Sequence, residues 1–304
     1  MELIDDEKYI ELDKPYFKFS ELTDRLKYNP DYVSNIPTIP KQGQLKLLLS
    51  ELYFLNTLLK KGKLSNSVIL YLGSAPGIHI GWIVRYFNNI NVNIKWILYD
   101  PREHDVRLYG FSNVNVRRRF FNINNDILSE FSGYKNNLIL ISDIRLVRDG
   151  KEPKTQDIVE DSKLQNKIVT ILKPIAYSLK WRSPFPDNDF KELTSVNGDI
   201  MLQPFSPPTS AELRIMNFTD KYKLFNVSYE DSVDYEEKMF SYNVKLRNKI
   251  VTNFDFPTQR YDYYYAYHIL KDLETSDKNN NEKIKVIKLF KSIFKYIGIK
   301  NEFQ

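Results

Sequence analysis

The chain has 304 residues, with 44 Lys+Arg against 39 Asp+Glu, three His, no Cys and a net charge of +5. The absence of cysteine excludes disulfides, thiolate zinc sites and cysteine nucleophiles, and fits a reducing compartment. Hydrophobic residues make up 42%, which supplies a core and excludes wholesale disorder, while the mean hydropathy of −0.45 comes with no apolar run near the ~18 residues of a membrane helix. The acidic start MELIDDEKYIELDKPYF lacks the apolar stretch of a secretory signal. A pI near 8.9 leans toward a polyanionic partner.

Residues 1–40, punctuated by Pro15, Pro30, Pro37 and Pro40, read as an irregular arm. Leu45, Leu48, Leu49, Leu52, Leu55, Leu58 and Leu59 then recur at helical spacing, with Gly62 as the stop. SVILYLGS (67–74) is an apolar run ending at glycine, the pattern of a buried parallel strand. PGIHIGWIVRYF (76–87) predicts a helix with Pro76 in its first turn. KWILYD (95–100), VNVRRRF (114–120) and NLILISD (137–143) predict further strands, the first and last ending in an acid. A helix is predicted over 155–172, and strands at IAYSLKW (175–181), DIMLQPF (199–205) and ELRIMNF (212–218). Residues 238–248 and 261–273 read as helical, and KIKVIKLFKSIFKYIG (283–298) as a basic amphipathic helix after the polar run DKNNNEK. Strands alternating with helices through residue 180 predict βαβ units and a parallel sheet, with antiparallel additions where later strands crowd together. No internal repeat and no second domain stand out.

Gly73-Ser74-Ala75-Pro76-Gly77 links a buried strand to a helix, the place where open α/β sheets bind nucleotide-like ligands. It is not a P-loop, because no Gly-Lys-Ser/Thr follows, and Pro76 spoils a dinucleotide fingerprint. A methyl donor such as S-adenosylmethionine carries no phosphates and needs no such cradle. Asp100 is placed to accept from ribose hydroxyls, and Asp143 to lie beside a sulfonium. On the loop alone, a tight structural turn with two solvated acids explains the pattern equally well. Lys180 ends the apolar stretch IAYSL. Desolvation there would lower its pKa and let it orient or deprotonate an alcohol, though by itself it reads as a strand-end lysine reaching water.

QGQLKLLLSEL (42–52), YLGSAPG (71–77), ISDIR (141–145), SLKWRSPFPD (178–187), MLQPFSPPTSAELR (201–214) and DYEEKM (234–239) together resemble, in order, the poxvirus cap-specific mRNA 2′-O-methyltransferases, which are also the regulatory, processivity-conferring small subunit of the viral poly(A) polymerase. The resemblance runs from the arm to about residue 260. It implies an α/β class I S-adenosylmethionine-dependent methyltransferase fold, a Rossmann-like, mostly parallel central sheet flanked by helices. With the composition, it reads the chain as an arm over 1–40 contributing to cap binding, a methyltransferase domain over 41–274 and a basic helix or tail over 275–304 that is either part of the same domain or mobile. It implies a catalytic Lys46, Asp143, Lys180 and Glu212, with Lys180 at the chemistry. Asp143 and Glu212 would raise the pKa of Lys180, whereas burial, Lys46 and the sulfonium would lower it. The implied contacts to S-adenosylmethionine are Gln44, Tyr71, Gly73, Gly77, Asp100, Arg102 and Phe121. Pro101 stands where the family pattern has glycine, which removes an N–H.

The same resemblance implies a pocket for the N7-methylguanosine cap. Tyr28 and Phe185 sandwich the cationic base, and Asp187 and Glu236 accept from its edge. Arg145, Arg182 and Arg214 are candidates for transcript phosphates, with Ser210 and Ala211 alongside the RNA. Each aromatic and each arginine also has an ordinary structural reading, as a core-capping ring or a surface ion pair. The RRR run at 117–119 and the basic helix at 283–298 read first as solvated charge. Implied partners are capped mRNA, the catalytic subunit of a heterodimeric poly(A) polymerase and the viral RNA polymerase, in the virion and host cytoplasm, with no membrane. Three functions compete: a cap 2′-O-methyltransferase, a catalytically silent RNA-binding processivity subunit on the same fold, and a nicotinamide oxidoreductase, whose fingerprint is missing.

Overall fold

A computed structural model of the chain describes residues 16–32, 39–146, 153–250, 260–273 and 282–300. The chain separates into two compact units. One gathers Met1–Leu49, Leu202–Ala211 and Glu236–Gln304, and the other Ser50–Met201 with Glu212–Tyr235. Helix α1 (Gln42–Lys60) runs from the first into the second. The expected loop at DKNNNEK and the first part of the arm lie largely outside the described residues. Among the described residues no helix is long and apolar enough to cross a membrane.

The second unit is built on a sheet of β1 (Ser67–Leu72), β2 (Ile94–Tyr99), β3 (Val114–Arg117), β4 (Leu138–Ser142), β5 (Ala176–Trp181), β7 (Asp199–Met201) and β8 (Leu213–Asn217). Its order is β3-β2-β1-β4-β5-β8-β7. The first five strands are parallel, and β8 joins β5 and β7 antiparallel. β1 and β4 are buried along their whole length, which is why they read as unbroken apolar runs rather than alternating ones. Helices α2 (Ile78–Asn89), α3 (Asn125–Ser132) and α4 (Thr155–Leu172) are the crossovers, and α4 packs on β5 and on a further strand, β6 (Leu193–Val196). This mostly parallel sheet flanked by helices is the architecture of the class I methyltransferase fold.

Register decides where the chemistry can sit. Leu72 lies opposite Tyr99 and Ser142, and Ser142 opposite Leu179. The next residues, Asp100, Gly73, Asp143 and Lys180, therefore stand side by side along one rim. Strand order reverses at β1, with β2 on one flank and β4 on the other, so this rim holds the switch-point crevice.

Several elements differ from the sequence expectation. Helix α2 starts at Ile78, with Pro76 outside it, because its N-cap Gly77 sits at φ 69° in the left-handed region. The helix read from residue 238 begins at Tyr229 as α5 (Tyr229–Ser241) and continues through a π turn, Tyr242–Leu246, into the short α6 (Arg247–Lys249). Its true start is a reciprocal cap: Asp231 N–H donates to Ser228 Oγ at 3.1 Å and Ser228 N–H to Asp231 Oδ2 at 2.9 Å. The strand at DIMLQPF stops at Met201, and Phe205 takes φ 58°. β6 (Leu193–Val196) and β9 (Leu224–Val227), a separate antiparallel pair, were not read from the sequence.

In the first unit, α7 (Tyr261–Lys271) packs on α8 (Glu282–Ile297). Phe205 sets its ring edge-on to Tyr263, 5.1 Å between centroids. α8 buries Val286, Phe290, Ile293, Phe294 and Ile297, and leaves Lys288, Lys291 and Lys295 at the surface.

Candidate active site

Gly73 and Gly77 hold φ of 74° and 69°. A Cβ at Gly73 would lie 2.7 Å from the backbone carbon and oxygen of Asp143, and one at Gly77 2.8 Å from Ser74 O. Only glycine lets the loop after β1 lie this close to the turn after β4. The loop is stitched to the turn after β2: Ala75 N–H donates to Asp100 Oδ2 at 3.2 Å, and Asp105 N–H to Pro76 O at 2.8 Å. Arg102 Nη2 reaches Ala75 O at 3.1 Å. Ser74 Oγ and His104 Nε2 add a buried bond of 2.8 Å. Burial pushes the His104 pKa down, against the pull of Asp100.

Asp100 is buried, yet its carboxylate is held below the ordinary range. Burial works to raise it, but donors from the Arg102 side chain and backbone and from Ala75 N–H outweigh that. Arg102 supplies its N–H, Nε and Nη2 at 2.9, 3.0 and 2.8 Å. With Ala75, four donors meet the carboxylate's roughly four acceptor sites. A ribose hydroxyl would have to displace one, and the exposed Arg102 is the one free to move.

Tyr71, expected at the donor, has its hydroxyl engaged within the fold. Its hydroxyl donates to Glu51 Oε1 at 2.6 Å and lies 3.2 Å from His79 Nε2, which is 3.1 Å from the same Glu51 oxygen. The ring sits on the fully buried β1, so the hydroxyl is spent inside the fold. Burial, with Glu51 and Asp143 behind it, pushes its pKa well up. Phe121 lies half-buried just past β3, edge-on to Tyr99 at 5.1 Å. Gln44 and Lys46 belong to the first unit, on α1, and Lys46 is buried there.

At the other end of the rim Lys180 Nζ lies 3.1 Å from Glu212 Oε2 and 3.6 Å from Asp143 Oδ1. Its side chain is 14% exposed, so it does not project into open water. Asp143 is the joint: its backbone abuts Gly73, and its carboxylate faces Lys180. The three residues expected in this unit therefore converge beside the glycine loop.

Arg214 is a correction. Read as a phosphate contact, it is instead 1% exposed. It faces Lys180 across the β5–β8 ladder, donates through Nη1 to Ser142 O at 2.9 Å and clamps Asp143 Oδ1 through Nη2. Burial alone would lower its pKa, but Asp143 and Glu212 raise it above the ordinary value. Two residues that the sequence did not suggest complete the cluster. Asp161 on α4 accepts from Leu146 N–H at 3.1 Å and pairs with Arg145 at 3.5 Å. Gln165 donates to Lys180 O at 3.1 Å.

The residues expected at a cap fall in both units. In the second, Arg182 lays its guanidinium over the Phe185 ring, 3.8 Å from the centroid, so one aromatic face is already covered. Asp187 is exposed and accepts from Thr155 Oγ1 and from Asp189 N–H at 3.1 Å. In the first, Tyr28 is exposed with its ring 5.1 Å from Phe240, and the arm is pinned by Leu26 N–H to Glu237 O at 3.1 Å. Glu236 is half-buried on α5, Ala211 is buried, and Ser210 O accepts from Asn243 Nδ2 at 2.8 Å.

A family model described as poly A polymerase regulatory subunit matches residues 11–299. The chain belongs to that family. It is 44% identical to a protein of fowlpox virus (strain NVSL) over 96% of this chain and 97% of that one. It is 41% identical to one of myxoma virus (strain Lausanne) over 95% and 87%. Both relatives bear the name cap-specific mRNA (nucleoside-2′-O-)-methyltransferase. Among solved structures, bluetongue virus VP4, described as a multifunctional RNA-capping production line, matches with TM-score 0.44 and 13% identity over 83% of this chain and 38% of that one.

Proposed function

We propose that this family member transfers a methyl group from S-adenosylmethionine to the ribose 2′-hydroxyl of the first transcribed nucleotide of m7G-capped mRNA, converting cap 0 to cap 1. A second role, as regulatory subunit of a heterodimeric viral poly(A) polymerase, is supported by the family description alone. The observation that carries the enzymatic reading is Lys180, held between Asp143 and Glu212 beside the Gly73 loop.

The residues present fit the donor. Gly73 and Gly77 put no side chain into the crevice after β1, and the rim beside them carries the carboxylates of Asp100 and Asp143. Gly73, Gly77, Asp100, Arg102 and Phe121 would hold S-adenosylmethionine, which when bound supplies an electrophilic methyl on a positive sulfonium. A 2′-hydroxyl is a weak nucleophile. Lys180 Nζ orients its oxygen and, as the free amine with its lone pair, takes its proton to become the ammonium, while Glu212 and Asp143 fix the amine and Arg214 fixes Asp143. Catalysis here is positioning plus a proton acceptor. Within the second unit, Phe185 and Asp187 would meet the cap. Arg145 and Arg182 would steer phosphates.

The test is methyl transfer by the purified chain to cap-0 RNA with labelled donor. Lys180→Arg keeps a cation that does not give up its proton. It is expected to lower turnover by about 100-fold or more while calorimetry shows unchanged donor binding. Near-native turnover in that variant sinks the mechanism.

A further inference from the structure

Asp161 lies outside every residue set so far assigned to the reaction, yet it is wired to it. It sits on α4 with its side chain 4% exposed and Oδ2 3.5 Å from Arg145 Nη1. Arg145 Nη2 in turn lies 4.0 Å from Glu212 Oε2, the oxygen that stands 3.1 Å from Lys180 Nζ. The charges alternate in sign along this line, so each neutralises its neighbour. Both oxygens of Asp161 also receive Leu146 N–H, at 3.1 and 3.2 Å, which pins the segment following Asp143. One helical turn on, Gln165 holds the Lys180 carbonyl.

We infer that Asp161 is a positioning residue for Lys180, acting through Arg145 to keep Glu212 shared between guanidinium and amine. The inference rests on the methyl-transfer reading above. Its logic is competitive. Arg145 divides its charge between Asp161 and Glu212. When Asp161 is neutralised, Arg145 turns wholly to Glu212 and draws that carboxylate from Lys180. The amine then loses both its fixed place and one of its two anions.

The experiment uses the full chain and three variants, Asp161→Asn, Arg145→Gln and the double. Asparagine keeps an acceptor for Leu146 N–H and removes only the charge. At saturating capped RNA and donor, Asp161→Asn is expected to lower kcat about 10- to 100-fold with donor affinity by calorimetry unchanged. Because Asp161 acts by holding Arg145 off Glu212, the double variant is expected to turn over like Arg145→Gln and faster than Asp161→Asn. A wild-type kcat in Asp161→Asn, or losses that multiply in the double, overturns the inference. A second readout needs no methyl transfer: competitive acetylation of Lys180 by acetic anhydride, followed by peptide mass spectrometry. Asp161→Asn is expected to acetylate at Lys180 faster, since an amine no longer held 3.1 Å from Glu212 is more open to the reagent. An unchanged rate overturns the inference even if the wild-type chain transfers no methyl, an outcome that would sink the proposed function instead. Should Asp161→Asn fail to fold, Arg145→Gln alone must speed acetylation no more than wild type and leave Glu212 on Lys180. Slower or equal labelling supports the competitive logic, and faster labelling contradicts it.

Discussion

Gly73 meets two independent demands, a φ of 74° and the absence of a Cβ within 2.7 Å of the Asp143 backbone. Gly73→Ala is therefore expected to cost about 1–3 kcal/mol, read from a urea unfolding midpoint, and to weaken donor binding, because Asp143 must move. A stable variant with native donor affinity would show that the close approach is incidental. Asp161 makes a different prediction. Burial raises its pKa to about 6, although Arg145 and Leu146 N–H pull the other way, whereas the unfolded chain titrates near ~3.9. Between those values the native state binds more protons than the unfolded state, so this group's contribution to stability falls as pH rises through that window. At neutral pH, Asp161→Asn is thus expected to be more stable, by about 1–3 kcal/mol, while turning over more slowly. Opposite signs in melting temperature and kcat mark a residue retained for function at the expense of stability.

Among the elements, α5 shows how a local signal is missed. Ser228 and Asp231 form a reciprocal cap, but the acidic stretch that follows has little apolar periodicity, so only the later part reads as helix. Ser228→Ala is expected to destabilise the chain by about 1 kcal/mol, measured by denaturant unfolding, with no change if the helix start is held by packing alone. The central strands were legible because they are buried on both faces and read as unbroken apolar runs. β6 and β9 were not: each has four residues, and β9 leaves Leu224 exposed, so their pairing comes from contact between distant segments rather than from pattern.

For the molecule as a whole, a surplus of 44 basic over 39 acidic side chains is small, so under the proposed function transcript binding would come from local arrangement rather than net charge. Capped-RNA affinity is expected to fall with salt, with a log–log slope near −0.7 for each phosphate contacted. Arg182→Ala should flatten that slope by about one such step, and salt-independent binding would remove phosphates from the account. Arg214, enclosed and committed to Asp143, is expected to contribute no part of it. The sequence by itself determined the parallel sheet, the glycine turn and the acids and lysine at strand ends, because apolar runs and their endpoints are properties of neighbouring residues. Only the tertiary structure decided which charges meet: Arg214 under Asp143, Arg102 saturating Asp100, Arg182 across Phe185, and Asp161 reaching Lys180 by way of Arg145. Coulomb pairing depends on distance and burial, and both are set by which helix packs over which strand, a matter that no local pattern encodes.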